Sequence, residues 1–240
     1  GLFDVYLNDT DGTRIYHQLG PNLQVNYATT SFGIRYTDYA EILRPKDFAG
    51  IVTNTRYDYE NWQIDFSNST SQKATVSANY RQGRTLNLVP APGSLPYVAD
   101  TSRIDLSFFW RPIDRLQVRN TYFLTELQNR NSDTKIFTNE IFRSNWNYQF
   151  TKEWSLRFIA QYDKTDAGPA TRLTDDENLN FDLLLRYVIN PWSAFYIGFN
   201  TNQSNFDIVE IEGERELVVA NDLRQDGDQV FIKFSYLFQR

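Results

Sequence analysis

The chain has 240 residues, among them 18 Phe, 15 Tyr and 5 Trp, and it contains neither Cys nor Met. Without cysteine there is no disulfide framework, no CxxC redox centre and no thiolate metal site, and a formal charge of −6, from 24 Lys and Arg against 30 Asp and Glu, argues against a nucleic-acid surface. The longest apolar runs, such as Leu217 to Ala220, fall far short of the roughly 18 residues a membrane helix needs.

Period-two alternation of apolar and polar residues runs through most of the chain, the signature of strands with two unlike faces. No charged-then-apolar leader precedes the first strand-like segment, so the biological chain is expected to start upstream of Gly1. In chain order the softer candidates are Leu2 to Asn8, Thr13 to Leu19, Asn22 to Thr29, Phe32 to Thr37, Phe48 to Tyr59, Trp62 to Ser67 and Lys73 to Arg81. Asp11-Gly12 reads as a tight hairpin turn, and Arg84 to Ala99, with three prolines, as a long loop or a loop hiding a strand. The clearer strands follow: Arg103 to Trp110, Leu116 to Leu124, Phe142 to Phe150, Trp154 to Tyr162, Leu179 to Ile189, Ala194 to Phe199 and Val230 to Phe238. The expected fold is all-β, an antiparallel sheet of about 12 to 14 strands.

Sorting the seven clear strands by parity separates two faces. One holds 33 positions, of which 31 are apolar or aromatic and none is charged; the exceptions are Asn120 and Ser144. The 28 positions opposite carry Arg103, Asp105, Arg119, Arg143, Arg157, Asp182, Arg186 and Lys233 among amides and hydroxyls. A soluble sandwich alternates in the same way, so three further features matter. Phe, Tyr or Trp fills 17 of the 33 apolar positions, whereas interdigitating cores mix in smaller residues. Connections alternate short and long, as on the two rims of a transmembrane barrel. Trp62, Trp110, Trp154 and Trp192 all adjoin expected turns on one rim, as in a membrane girdle. Hydrocarbon offers backbone groups no partner, so such a sheet must close on itself. The sequence therefore predicts a transmembrane β-barrel over residues 1–240, complete in itself or part of a larger barrel, with those eight charges lining its lumen.

The strings RPIDRLQVRNTYFLTEL (Arg111 to Leu127), IFRSNWNYQFTKEWSLRFIAQYD (Ile141 to Asp163), NFDLLLRYVINPWSAFYIGFN (Asn180 to Asn200) and the ending QVFIKFSYLFQR resemble a family of bacterial outer-membrane proteins. Its members join an N-terminal module similar to family-nine carbohydrate-binding modules to a C-terminal barrel of unknown function. The likeness runs from about residue 85 to the end. It implies residence in the outer membrane, contact with lipopolysaccharide, and a C-terminal signal for barrel-assembly machinery. That signal departs from the commonest form by the extra Gln239-Arg240. The resemblance also implies a glycan-binding module upstream and brings no catalytic residues.

His17 is the only histidine, so a His-based hydrolase would have to be built on it; a strand or lumen role is the ordinary alternative. Asp9-Thr10-Asp11-Gly12 opens like a calcium loop but lacks the closing glutamate. Asp175-Asp176-Glu177 and the glutamates at 210, 212, 214 and 216 are expected on the outside, as solvated loop charge or as ligands for cations that bridge lipopolysaccharide. The reading at this level is a pore, conduit or membrane anchor for polar solutes or glycans, without enzymatic activity, cofactor or resident metal, whose barrel another subunit could complete. The alternatives are a barrel-borne hydrolase and a soluble β-sandwich used in adhesion.

Overall fold

A computed structural model describes residues 1–10, 12, 14–211 and 214–236. Twelve strands follow one another: β1 (Leu2–Asn8), β2 (Arg14–Tyr27), β3 (Thr30–Leu43), β4 (Thr55–Ser71), β5 (Ala74–Asn87), β6 (Tyr97–Ile113), β7 (Leu116–Gln128), β8 (Lys135–Gln149), β9 (Trp154–Ala167), β10 (Asp176–Asn190), β11 (Ser193–Ile211) and β12 (Glu214–Tyr236). They form one sheet in sequence order, every neighbouring pair antiparallel. This is the topology of an up-and-down barrel, and the sheet is open: β1 and β12 are not paired with each other. Among the described residues no second sheet packs against it, which removes the sandwich alternative.

Several expected elements merge. The candidates Thr13 to Leu19 and Asn22 to Thr29 meet in the single strand β2, with Thr13 outside the described residues and Ala28 and Thr29 in the turn, and Phe48 to Tyr59 and Trp62 to Ser67 give way to β4, which runs unbroken through Glu60 and Asn61. The long connections expected at 125 to 137, 163 to 178 and 200 to 229 shrink because both arms of each hairpin continue. Beyond the apolar zone both faces are polar, so alternation fades in the sequence while the hydrogen-bond ladder persists. Asp11 and Phe238 lie outside the described residues. At the first turn Gly12, at φ 82°, donates its N–H to Asp9 O at 2.9 Å.

The alternation of short and long connections holds as far as β11, whereas only residues 212–213 separate β11 from β12. Short turns join β2 to β3, β4 to β5, β6 to β7, β8 to β9 and β10 to β11 on one rim. The longer segments 44–54, 88–96, 129–134 and 168–175 lie on the other, and they interlock. Thr171 Oγ1 donates to Val89 O at 2.6 Å, Arg172 donates to Leu88 O at 3.1 Å, and its guanidinium lies over the Phe48 ring. Ala170 packs against buried Ala99, Leu127 and Ile136. Thus the 168–175 loop folds over the face to which Ala99 and Leu127 belong.

A charged cluster ties the 44–54 segment to Asp9. Lys46 Nζ donates to Asp9 at 2.9 Å, Arg44 pairs with the same carboxylate, and Arg44 grips Asp47 through Nε at 2.7 Å and through its backbone N–H at 2.9 Å. The bond from Lys46, with help from the Thr10 N–H and Arg44, holds Asp9 well below the usual carboxylate range. The Arg44 bonds lower Asp47 from 3.8 to about 2. A depressed folded-state pKa stabilises fully above the unfolded value and is lost as pH falls through the folded one. The 44–54 segment should therefore resist pepsin at pH 4 and become cleavable as pH drops towards 2; equal cleavage at both pH values would separate the cluster from loop anchoring.

Candidate functional site

The register assigns every strand residue to a face. On the apolar face the last apolar residue before the long-loop rim is Leu19 on β2, then Tyr36, Trp62, Tyr80, Ile104, Leu124, Phe142, Tyr162, Leu179, Phe199 and finally Val230 on β12. Followed along the ladder, this boundary slips by about ten residues over ten strands, or about one residue of 3.3 Å for each 4.8 Å step across the sheet. Strands crossing a level slab with that slip are tilted by about 35°, within the range of transmembrane barrels. On β10 the uncharged run on this face, Leu179 to Ile189, is then about 27 Å tall along the slab normal, close to the apolar band of such barrels.

Both the edge and the middle of the band carry chemistry suited to hydrocarbon. Immediately beyond the boundary stand Asp38, Glu60, Glu126, Glu140, Lys164, Glu177 and Asp228. Boundary tyrosines reach them with their hydroxyls: Tyr36 donates to Asp38 at 2.6 Å, Tyr162 to Glu177 at 2.8 Å, and Tyr80 to Gln82 at 3.0 Å. Rings in the apolar zone with hydroxyls at its polar edge are what a membrane interface selects. The two polar exceptions, Asn120 and Ser144, face each other on β7 and β8. Ser144 Oγ donates to Asn120 Oδ1 at 2.6 Å and accepts from Trp146 Nε1 at 2.7 Å. These three polar groups therefore satisfy one another within the apolar zone, where an unpartnered one would be costly.

The large apolar side chains of this face are exposed, including Phe32, Phe66, Phe108, Trp146, Leu183, Ile197 and Ile232. All eight charges expected to line a lumen, Arg103, Asp105, Arg119, Arg143, Arg157, Asp182, Arg186 and Lys233, fall together on the other face. That face has two halves. Across β4 to β6 several charges are partnered: Arg103 Nε donates to Asp105 at 2.9 Å, an Arg81 terminal nitrogen to Gln63 at 2.9 Å, and Gln63 and Asn79 both donate to Asp65, at 3.0 and 2.5 Å, while Arg81 Nε and Arg111 Nε are buried without a hydrogen-bond partner. Arg119 lies over the Phe109 ring at 5.8 Å. Across β8 to β12, Arg143, Arg157, Arg186 and Lys233 have no ion-pair or hydrogen-bond partner among the described residues. On that side Phe231 faces Gly198, whose missing side chain leaves room for the ring; a Cβ there would stand 2.2 Å from it.

The partnered half also holds a row that parity counting missed. Ser31, Ser67, Ser77 and Ser107 are direct register partners on β3 to β6. With Asp65, Asn79 and Asp105 they line a depression of about 450 Å³. Single serines in strands look unremarkable in sequence, and only the register brings them abreast.

The girdle expectation needs one correction. Trp110 and Trp154 adjoin short turns and Trp192 lies in one, but Trp62 does not. It sits inside β4 at the opposite edge of the band, its ring 4.8 Å from that of Tyr36. The residues Glu60-Asn61 resemble a turn in composition, yet their backbone stays in the ladder with β3 and Asn61 in that with β5. His17 Nε2 lies 2.8 Å from Asp4 Oδ1, on the long-loop side of the band, and no serine or threonine hydroxyl is bonded to the ring among the described residues. Asp175 accepts the Ala167 N–H at 2.8 Å and Glu177 accepts from Tyr162, so part of that acidic loop serves local structure. Glu212 lies outside the described residues, which hold no group of three or more metal-binding side chains.

No family model and no curated protein sequence matches the chain. Solved structures similar to it include outer-membrane expressed OmpT of Vibrio cholerae, at 12% identity and a TM-score of 0.44 over 94% of this chain and 78% of that one. The trimer form of in-vitro folded OmpT gives 11% identity and a TM-score of 0.44 over 98% and 95%. A FadL homologue of Pseudomonas aeruginosa gives 11% and 0.40 over 98% and 70%. One expectation is corrected by these likenesses. The sequence suggested a chain without enzymatic activity, and the OmpT chains among its neighbours, at 11–14% identity, do not uphold that expectation. Its assignment as a non-enzyme is withdrawn.

Proposed function

We propose that the chain is the membrane-spanning sheet of an outer-membrane β-barrel, with its apolar face against acyl chains and its charged face lining a conduit for small polar solutes. The observation that carries this reading is the uncharged belt that slips by about one residue per strand. A soluble sheet has no reason to keep such a belt level at a constant tilt, whereas a bilayer of fixed thickness imposes it. In the membrane the free edges of β1 and β12 must be paired, because hydrocarbon leaves no backbone group unsatisfied at tolerable cost. The two strands run in opposite senses, as closure of an even-numbered sheet requires.

A further role as anchor for a sugar-binding-like module rests on the sequence resemblance alone. Two measurements test the reading. In vesicles with brominated acyl chains most of the tryptophan emission should be quenched, since Trp146 lies within the belt and Trp62, Trp110, Trp154 and Trp192 at its edges; unquenched emission would remove the membrane assignment. In planar bilayers stepwise conductance is expected, and a sealed bilayer would leave an anchor without a conduit.

A further inference from the structure

The unpartnered half of the charged face has a feature that solvation alone does not require. Arg157 on β9 is the register partner of Leu184, and Arg186 on β10 that of Ser155, so the two guanidinium groups are diagonal neighbours on adjacent strands. In the same row Arg186 faces Tyr196, and Tyr196 faces Lys233. Like charges placed as cross-strand neighbours destabilise a sheet, yet no carboxylate pairs with any of the three among the described residues. Asp182, the acid of this face on β10, is directly opposite Ile159 and Asn200 and makes no ion pair. Elsewhere on the face Arg103 has Asp105 and Arg81 has Gln63. Arg119 and Arg143, diagonal neighbours on β7 and β8, also lack a carboxylate among the described residues, so what sets Arg157 and Arg186 apart is that they line one and the same place.

That place is a depression of about 600 Å³ near the short-turn rim, lined by Arg157, Arg186, Gln117, Asn147, Tyr196 and, at its edge, Asp114 beside Arg115. Its neutral polar side chains, amides, the Ser155 hydroxyl and phenols, can all donate hydrogen bonds, and leucines fill the rest of its lining. Two guanidinium forks with neutral donors around them match an oxyanion in both charge and geometry. We infer that this depression binds a small oxyanion-bearing solute, a phosphate or carboxylate group, held by Arg157 and Arg186 with Lys233 adding to the field. The inference deepens the conduit reading and rests on the charged face being the lumen.

The test uses the full chain in detergent micelles, titrated with inorganic phosphate at low ionic strength by calorimetry. Saturable binding is expected for the wild type, at least tenfold weaker in R157Q/R186Q and unchanged in R103Q, where the arginine is already engaged by Asp105. No saturable binding by the wild type, or equal binding by the double variant, overturns the site. If heat-modifiable gel migration shows the double variant unfolded, R186Q alone is read in the same way, with a loss of threefold or more expected. Binding in micelles needs no open pore. Phosphate binding by a barrel that seals bilayers keeps the site and removes the conduit, and conductance without phosphate binding does the reverse.

Discussion

Leu106→Arg is expected to destabilise the barrel by about 2 to 4 kcal/mol, the cost of a cation on the lipid face near the bilayer midplane, whereas Ser107→Arg should cost about 0.5 kcal/mol or less. Leu106 lies between Ala78 and Tyr122 in the middle of the uncharged belt, and its neighbour Ser107 points to the face of Asp65 and Asp105. The two positions share a strand, so backbone propensity and distance from the turn cancel in the comparison. Urea unfolding in short-chain lipid vesicles, followed by tryptophan emission, measures both. Equal losses, or a larger loss at Ser107, would invert the assignment of the faces.

The second large effect concerns the polar triad within the belt. Ser144→Ala removes the acceptor for Trp146 Nε1 and the donor to Asn120 Oδ1, and leaving buried or lipid-facing polar groups unpaired costs about 1 to 3 kcal/mol. Asn120→Leu alone leaves the Ser144 hydroxyl without its acceptor and should cost a similar amount. Made together, the two changes leave only the indole N–H unpartnered, so the double variant should be less destabilised than the sum, by about 1 kcal/mol or more of coupling. The same urea assay, run as a double-mutant cycle, reads that coupling. Additive losses would mean that water reaches this part of the surface.

Parity made the faces legible because a pleated strand turns alternate side chains to opposite sides whatever its neighbours do. For that reason the uncharged set at 104 to 110, 142 to 150 or 179 to 189 and the charges from Arg103 to Lys233 could be sorted before any pairing was known. Strand ends were less legible. The hairpin arms from Asn200 to Ile211 and from Glu214 to Gln229 carry no strong alternation, since polar residues fall at positions of both parities, and they read as loop. Glu60-Asn61 read as a turn for the converse reason: composition marks turn preference, while ladder hydrogen bonds to β3 and β5 overrule it. Arg103 has its acid two residues along its own strand, at Asp105, which the sequence shows; whether a neighbouring strand brings an acid to Arg157 or Arg186 depends on register and has no trace there.

The amino-acid sequence by itself determined the class, the two-faced character of the sheet and the rim on which the short turns lie, all of which follow from local periodicity and turn chemistry. The tertiary structure decided what depends on register: the one-residue slip per strand that keeps the belt level, the meeting of Asn120, Ser144 and Trp146, the serine row, and the cations left without counter-charge. Register is a relation between segments distant along the chain, fixed by side-chain packing and turn geometry jointly, and no single strand contains it.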